Sequence, residues 1–278
     1  MPRIIAVANQ KGGVAKTTTV VSLGAALSEV GQKVLVIDLD PQACLTFSLG
    51  IDPEDVELSI HDVLLGRVSM GMVVLATDDG PDLVPATIEL AGTEAALLSR
   101  TGREYALKVA LADVSSGYDW VFIDCSPSLG VLTVNALTAA DEVLIPLQCE
   151  TLSHRGVGQL LATVDDVRML VNRDLRVLGV LPTLFDARTN HQKAVLADIS
   201  ERYGVAVLRP AIHKSVRFAE APAVGRSVLA TASRTRGAEG YRELASRLLD
   251  GTESALDDAD SADGDTESAP GGRDNADG

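Results

Sequence analysis

The chain has 278 residues, 46% of them hydrophobic, and a formal net charge of −15. That size suffices for one large α/β domain or two small ones, and no apolar run reaches the roughly 18 residues that a membrane-spanning helix needs. One Trp, four Tyr and four Phe leave the core to aliphatic side chains, as in parallel sheets covered by helices on both faces.

Residues 3–8 read as a short apolar strand. It feeds a Gly- and Lys-rich loop over 9–18, after which Val20, Leu23, Leu27 and Val30 recur at helical spacing over 17–30. Gly31 stops that helix, and residues 34–38 read as a second buried strand. This β–loop–α–β order is that of an α/β nucleotide-binding unit with a parallel sheet. Residues 50–82 carry Gly50, Pro53, Gly66, Gly71, Gly80 and Pro81 and predict helical pieces alternating with turns. Further strands are predicted over 83–85, 120–124, 142–146, 177–181 and 205–208. Helices are predicted over 89–98, 104–112, 131–140, 157–170, 192–203 and 238–249. The expected fold is a mostly parallel twisted α/β sheet with helices on both faces, forming one domain over 1–250.

The loop Lys11-Gly12-Gly13-Val14-Ala15-Lys16-Thr17-Thr18 lies between a strand and a helix, the setting a phosphate loop needs. Backbone N–H groups at the helix start, with the positive end of its dipole, can wrap the polyphosphate of ATP. Lys16 supplies a point charge for the β- and γ-phosphates, and the Thr17 hydroxyl can meet Mg²⁺. The strict pattern G-x-x-x-x-G-K-[ST] is not met, because Gln10 and Ala15 stand where its two glycines belong.

Two strand ends support the loop. In Val34-Leu35-Val36-Ile37-Asp38-Leu39-Asp40 a buried strand ends in two carboxylates at i and i+2. Such residues share a face, so both are expected to point from the carboxyl edge of the sheet, where open α/β folds bind ligands. One carboxylate near an attacking water is what hydrolysis requires. In Trp120-Val121-Phe122-Ile123-Asp124 an apolar strand ends in the acid expected on the Mg²⁺ side of a phosphate-loop nucleotidase, acting through a water. Cys44, Cys125 and Cys149, and His61, His154, His191 and His213, show no metal-ligand or nucleophile spacing.

Together these motifs resemble the ParA/MinD family of deviant Walker ATPases. Residues 11–18 look like its deviant Walker A motif, with Lys11 in the place of the second, signature lysine. Asp38-Leu39-Asp40-Pro41-Gln42 resembles the next motif, and residues 124–141 resemble the Walker B and switch II region. Pro146 to Glu150, Leu181-Pro182-Thr183 and Val216 to Pro222 resemble later blocks. The similarity runs from about residue 3 to residue 248 and is closest to the ParA/Soj branch of chromosome and plasmid partitioning.

The resemblance implies a P-loop NTPase fold and slow, Mg²⁺-dependent ATP hydrolysis. It implies that Lys16 and Thr17 hold the phosphates and Mg²⁺, that Asp124 holds the metal shell, and that Asp40 positions the attacking water. Lys11 would reach across an ATP-dependent homodimer to the partner's nucleotide, with Glu150 near the interface. Non-specific binding of double-stranded DNA, hence nucleoid association, and stimulation by a ParB-like partner are also implied; a cytoplasmic protein that does not bind membrane is expected from the lack of a membrane-length apolar run. Ala15 departs from the family's glycine, and where φ must be positive an alanine costs about 1 kcal/mol. His213-Lys214 stands where the branch usually has Pro-Arg.

Charge is unevenly spread. Residues 251–278 hold nine acids against Arg273, a net −8, and almost no large apolar residue; such a tail is expected to be disordered. Residues 188–236 hold nine basic residues against Asp198, Glu201 and Glu220, a net +6. Within them Lys214, Arg217, Arg234 and Arg236 are the candidate DNA contacts. Alternative readings are an orphan ParA-like protein that positions another cargo, and a MinD-like ATPase that cycles on membranes. The latter branch ends in a basic amphipathic helix, whereas this chain ends in an acidic tail.

Overall fold

Six strands make one sheet among the described residues, which are 1–150, 153–186 and 188–252 of the computed structural model. They are β1 (Arg3–Val7), β2 (Val34–Leu39), β3 (Asp82–Val84), β4 (Trp120–Cys125), β5 (Glu142–Gln148) and β6 (Arg176–Thr183). The order across the sheet is β3-β2-β4-β1-β5-β6, and every pairing is parallel. Parallel neighbours cannot be joined by a hairpin, so the chain returns through crossovers, most of them helical. The helices are α1 (Lys16–Glu29), α2 (Cys44–Ser48), α3 (Ile60–Leu64), α4 (Leu90–Leu98), α5 (Ala106–Ala112), α6 (Val131–Ala139), α7 (Ser153–Leu170), α8 (Asn190–Tyr203), α9 (Arg217–Glu220), α10 (Val228–Thr231) and α11 (Arg236–Asp250). None is long and apolar enough to cross a membrane. All but the first two residues of the predicted tail lie outside the described residues.

The two-residue period of the strands divides the interior into two cores. Ile5, Val7, Val34, Val36, Trp120 and Phe122 face α1, α10 and α11. Ala6, Leu35, Ile37, Val121 and Ile123 face the side packed by α5, α6, α7 and α8. On the first side Leu23 and Leu27 of α1 share a cluster with Tyr241, Leu244 and Leu248 of α11. Each such buried leucine contributes about 2 kcal/mol, and this seam ties the last helix to the first.

One predicted strand is corrected. Residues 205–208 form no ladder: they meet the sheet edge only at the bridge of Val180 with Val207. The Val180 N–H donates to the Ala206 carbonyl, and the Leu208 N–H donates to the Val180 carbonyl, both at 2.8 Å. Pro210 follows two residues later without an N–H to extend the pairing. The predicted helix over 157–170 begins earlier, at Ser153.

Candidate nucleotide site

The loop between β1 and α1 is held at several points. The Asn9 side-chain amide donates to the Pro146 carbonyl at 2.7 Å, and its oxygen accepts the Lys11 N–H at 3.0 Å. Gly13 has φ +72° and Ala15 φ +66°, so the chain passes through left-handed backbone twice before α1. Ala15 is the N-cap of α1 and supplies no side-chain cap, and the first turn has no acidic residue. The first N–H groups of this 14-residue helix are thus left to an external acceptor, and the positive end of its dipole favours an anion. Lys16 is buried, 8% exposed, with Nζ 3.3 Å from the Lys11 carbonyl.

Strand alternation brings the acids to this loop. Asp124 has the parity of Trp120 and Phe122, so it faces α1, and Thr17 on α1 donates its hydroxyl to Asp124 Oδ2 at 2.6 Å. The other oxygen, Oδ1, is buried and has no hydrogen-bond partner among the described residues. Asp38 lies beside Asp124 in register on β2, facing the same side. Burial, then repulsion from Asp38, push the Asp124 carboxyl well above the usual range, against the Thr17 hydrogen bond and the Lys16 charge.

Asp38 and Asp40 do not project together as expected. Asp38 is fully buried and accepts from the Thr46 N–H at 2.9 Å and the Thr46 hydroxyl at 2.8 Å. Burial raises its pKa from 3.8 to about 6. Asp40 lies past the end of β2 and is partly exposed. Its N–H donates to Asp38 Oδ1 at 3.2 Å, and its own Oδ1 accepts the Gln42 N–H at 3.0 Å. Asp38 therefore braces the strand end, and Asp40 is left at the mouth.

A cluster of buried carboxylates with one lysine and an unpartnered oxygen suits a cation. Mg²⁺ takes one or two protein oxygens and completes its shell with water and phosphate. Thr17 and Asp124 are the residues that could hold it.

Lys11 points along the loop, with Nζ 2.5 Å from Glu150 Oε2 and 3.5 Å from Gln148 Oε1 of the same chain. Val14 is buried, and its carbonyl accepts the Thr183 hydroxyl at 2.9 Å. Gly12, Gly13 and Thr18 complete the loop with some exposure. Asn9, Thr46, Thr183 and Thr19 are the supporting residues that sequence reasoning gave no role. Only Thr183 carried a signal, its place in the Leu181-Pro182-Thr183 block.

The basic candidates lie elsewhere on the chain. Lys214, Arg217, Arg234 and Arg236 are all exposed. Arg217 pairs with Glu220 at 2.6 Å, Arg188 with Asp186 at 2.8 Å and Arg226 with Asp79 at 2.5 Å. Part of the positive charge counted in the sequence is therefore internally matched. The three cysteines are free, Cys44 exposed and the other two buried, and burial raises the pKa of each thiol.

Residues 2–177 match the family described as an AAA domain. The chain is 45% identical over 249 residues to the sporulation initiation inhibitor protein Soj of Bacillus subtilis, covering 89% of this chain and 98% of Soj. It is 40% identical over 250 residues to the chromosome partitioning protein ParA of Caulobacter vibrioides, covering 89% and 94%. A crystal structure named as cobyrinic acid a,c-diamide synthase from Mycobacterium smegmatis, with bound ADP and magnesium, is similar at a TM-score of 0.82. It is 54% identical, covering 92% of this chain and 97% of that one.

Proposed function

The chain belongs to the ParA/MinD family of Walker ATPases, and from that premise we propose that it is a partitioning ATPase that binds and hydrolyses ATP with Mg²⁺. The observation that carries this reading is the Thr17–Asp124 contact beside an uncapped helix N-terminus and a buried Lys16. In this reading residues 11–18 wrap the phosphates and Lys16 neutralises the β- and γ-oxygens. Thr17 and Asp124 hold Mg²⁺, which when bound offsets charge on the phosphates. Asp40 orients the water that attacks the γ-phosphorus, breaking its bond to the bridging oxygen and leaving ADP and phosphate.

Lys11 acts across an ATP-dependent homodimer, where its charge stabilises the partner's transferring phosphate. The dimer binds double-stranded DNA without sequence preference through Lys214, Arg217, Arg234 and Arg236, and a ParB-like protein stimulates hydrolysis. The ATPase unit spans 1–250, the acidic tail 251–278, and the protein works in the cytoplasm on the nucleoid. Its cargo is a chromosome or a plasmid; positioning of another cargo uses the same cycle.

The name of the M. smegmatis neighbour favours a second reading, ATP-dependent amide formation. Glutamine-derived ammonia would need an activated thiol, and the raised pKa values of Cys44, Cys125 and Cys149 oppose one. ATPase assays with and without random duplex DNA and a candidate ParB-like protein separate the readings. Stimulation by both together supports partitioning. A rate that neither changes favours another cargo, and turnover only with a carboxylic acid acceptor and an ammonia source favours the synthase.

A further inference from the structure

Ala15 sits at φ +66° and ψ +34°, a conformation that an L-residue other than glycine, asparagine or aspartate seldom adopts. Both peptide groups flanking it are pinned. The carbonyl before it, of Val14, accepts the Thr183 hydroxyl at 2.9 Å. Its own carbonyl accepts the Thr19 N–H at 3.0 Å and the Thr19 hydroxyl at 2.7 Å. The Thr19 oxygen lies 3.0 Å from the hydroxyl of Tyr241 on α11, with both residues fully buried.

A hydroxyl carries a single proton. Thr19 spends its proton on the Ala15 carbonyl, so Tyr241 must be the donor in the second bond. The chain thus runs in one direction, from the Tyr241 O–H to Thr19 and from Thr19 to Ala15, and each bond polarises the next. Burial keeps the phenol protonated by raising its pKa. The ring is set by edge-on contact with Phe218, at 5.9 Å and 86°. A Cβ on the neighbouring Gly237 would come within 2.5 Å of Phe218, so this seam has little freedom to shift.

We propose that Tyr241, distant in sequence from the loop, is a positioning residue that holds the strained Ala15 in the conformation the phosphate loop needs. The inference rests on the reading that this loop binds nucleotide. Strain persists only where the surroundings over-determine it, and here Thr183 fixes one side of Ala15 and the Tyr241–Thr19 pair the other. Without the clamp Ala15 relaxes in the free chain, and binding must first restore it, which lowers apparent affinity. A glycine in place of Ala15 adopts the same backbone freely and needs no clamp.

The test is a double-mutant cycle on the full chain with Tyr241→Phe, Ala15→Gly and their combination, read with a fluorescent ATP analogue and Mg²⁺. Tyr241→Phe keeps the ring and its packing. It is expected to weaken binding roughly five- to thirtyfold with Ala15 in place, the size of one such backbone penalty, and less than about twofold in the Ala15→Gly background, where that penalty is absent. Amide exchange at Thr19 in nucleotide-free protein should quicken in the Ala15 chain alone. Equal weakening in both backgrounds, or none in the Ala15 chain, overturns the proposal. A wild-type chain that binds no analogue defeats the nucleotide reading alone; the exchange data then still decide the clamp, and unchanged Thr19 exchange in Tyr241→Phe overturns it.

Discussion

Lys11 Nζ and Glu150 Oε2 of the same chain lie 2.5 Å apart, with both side chains well exposed. If Lys11 acts across a dimer, this ion pair competes with that role. Exposed pairs contribute at most about 1 kcal/mol each, and a homodimer has two of them, so Glu150→Gln should tighten ATP-dependent dimerisation by no more than about thirtyfold. The gain should shrink as salt rises. Sedimentation with ATP and Mg²⁺ at low and high salt checks this, and a weaker dimer would show that Glu150 serves the interface.

Asp38 makes stability depend on pH. Its folded pKa of about 6 stands above the ordinary 3.8, so the folded chain holds this proton more tightly than the unfolded chain. Stability present below the ordinary value is lost as pH rises through about 6, a change of about 3 kcal/mol. Asp40 nearby adds repulsion in the same direction, and Asp124 is raised as well. Thermal melts in chelator from about pH 4 to 7 should show this decline for wild type and a flatter one for Asp38→Asn. Parallel curves would contradict the assignment.

Arg217 and Arg236 should differ as DNA contacts. Arg217 is paired with Glu220 at 2.6 Å, and its engagement with phosphate must first break that pair. Arg236→Ala should weaken binding of random duplex DNA in ATP and reduce the salt slope by about one, while Arg217→Ala does less. Salt titrations of both single variants and the double variant measure this; a double variant that binds like wild type rules out the patch.

The acidic tail, net −8 over 251–278, should compete with DNA for basic residues on the same chain. Deleting it is expected to tighten DNA binding, most at low salt. Unchanged affinity would reduce the tail to a solubilising segment.

The phosphate loop was legible because its parts are contiguous in sequence, and strand parity carried Asp124 to it. A mostly parallel sheet was expected from aliphatic runs alternating with helical periods, and every observed pairing is parallel. Asp38 was misread as a partner of Asp40 because its burial depends on Thr46, in a five-residue helix too short to announce itself by periodicity. Residues 205–208 have strand composition, yet edge pairing depends on where Pro210 turns the chain. The strain at Ala15 could be anticipated from the missing glycine. Its clamp could not, since Tyr241 stands 222 residues from Thr19.

The most direct measurement is ATP binding and hydrolysis by wild type, Lys16→Ala and Asp40→Ala in the presence of Mg²⁺. Wild type should bind ATP and turn it over slowly. Lys16→Ala should lose binding, and Asp40→Ala should bind normally while turnover falls by about a hundredfold or more, as loss of a positioned water-orienting group entails. A wild-type chain without ATP affinity, or an Asp40→Ala chain that hydrolyses at the wild-type rate, would contradict the account.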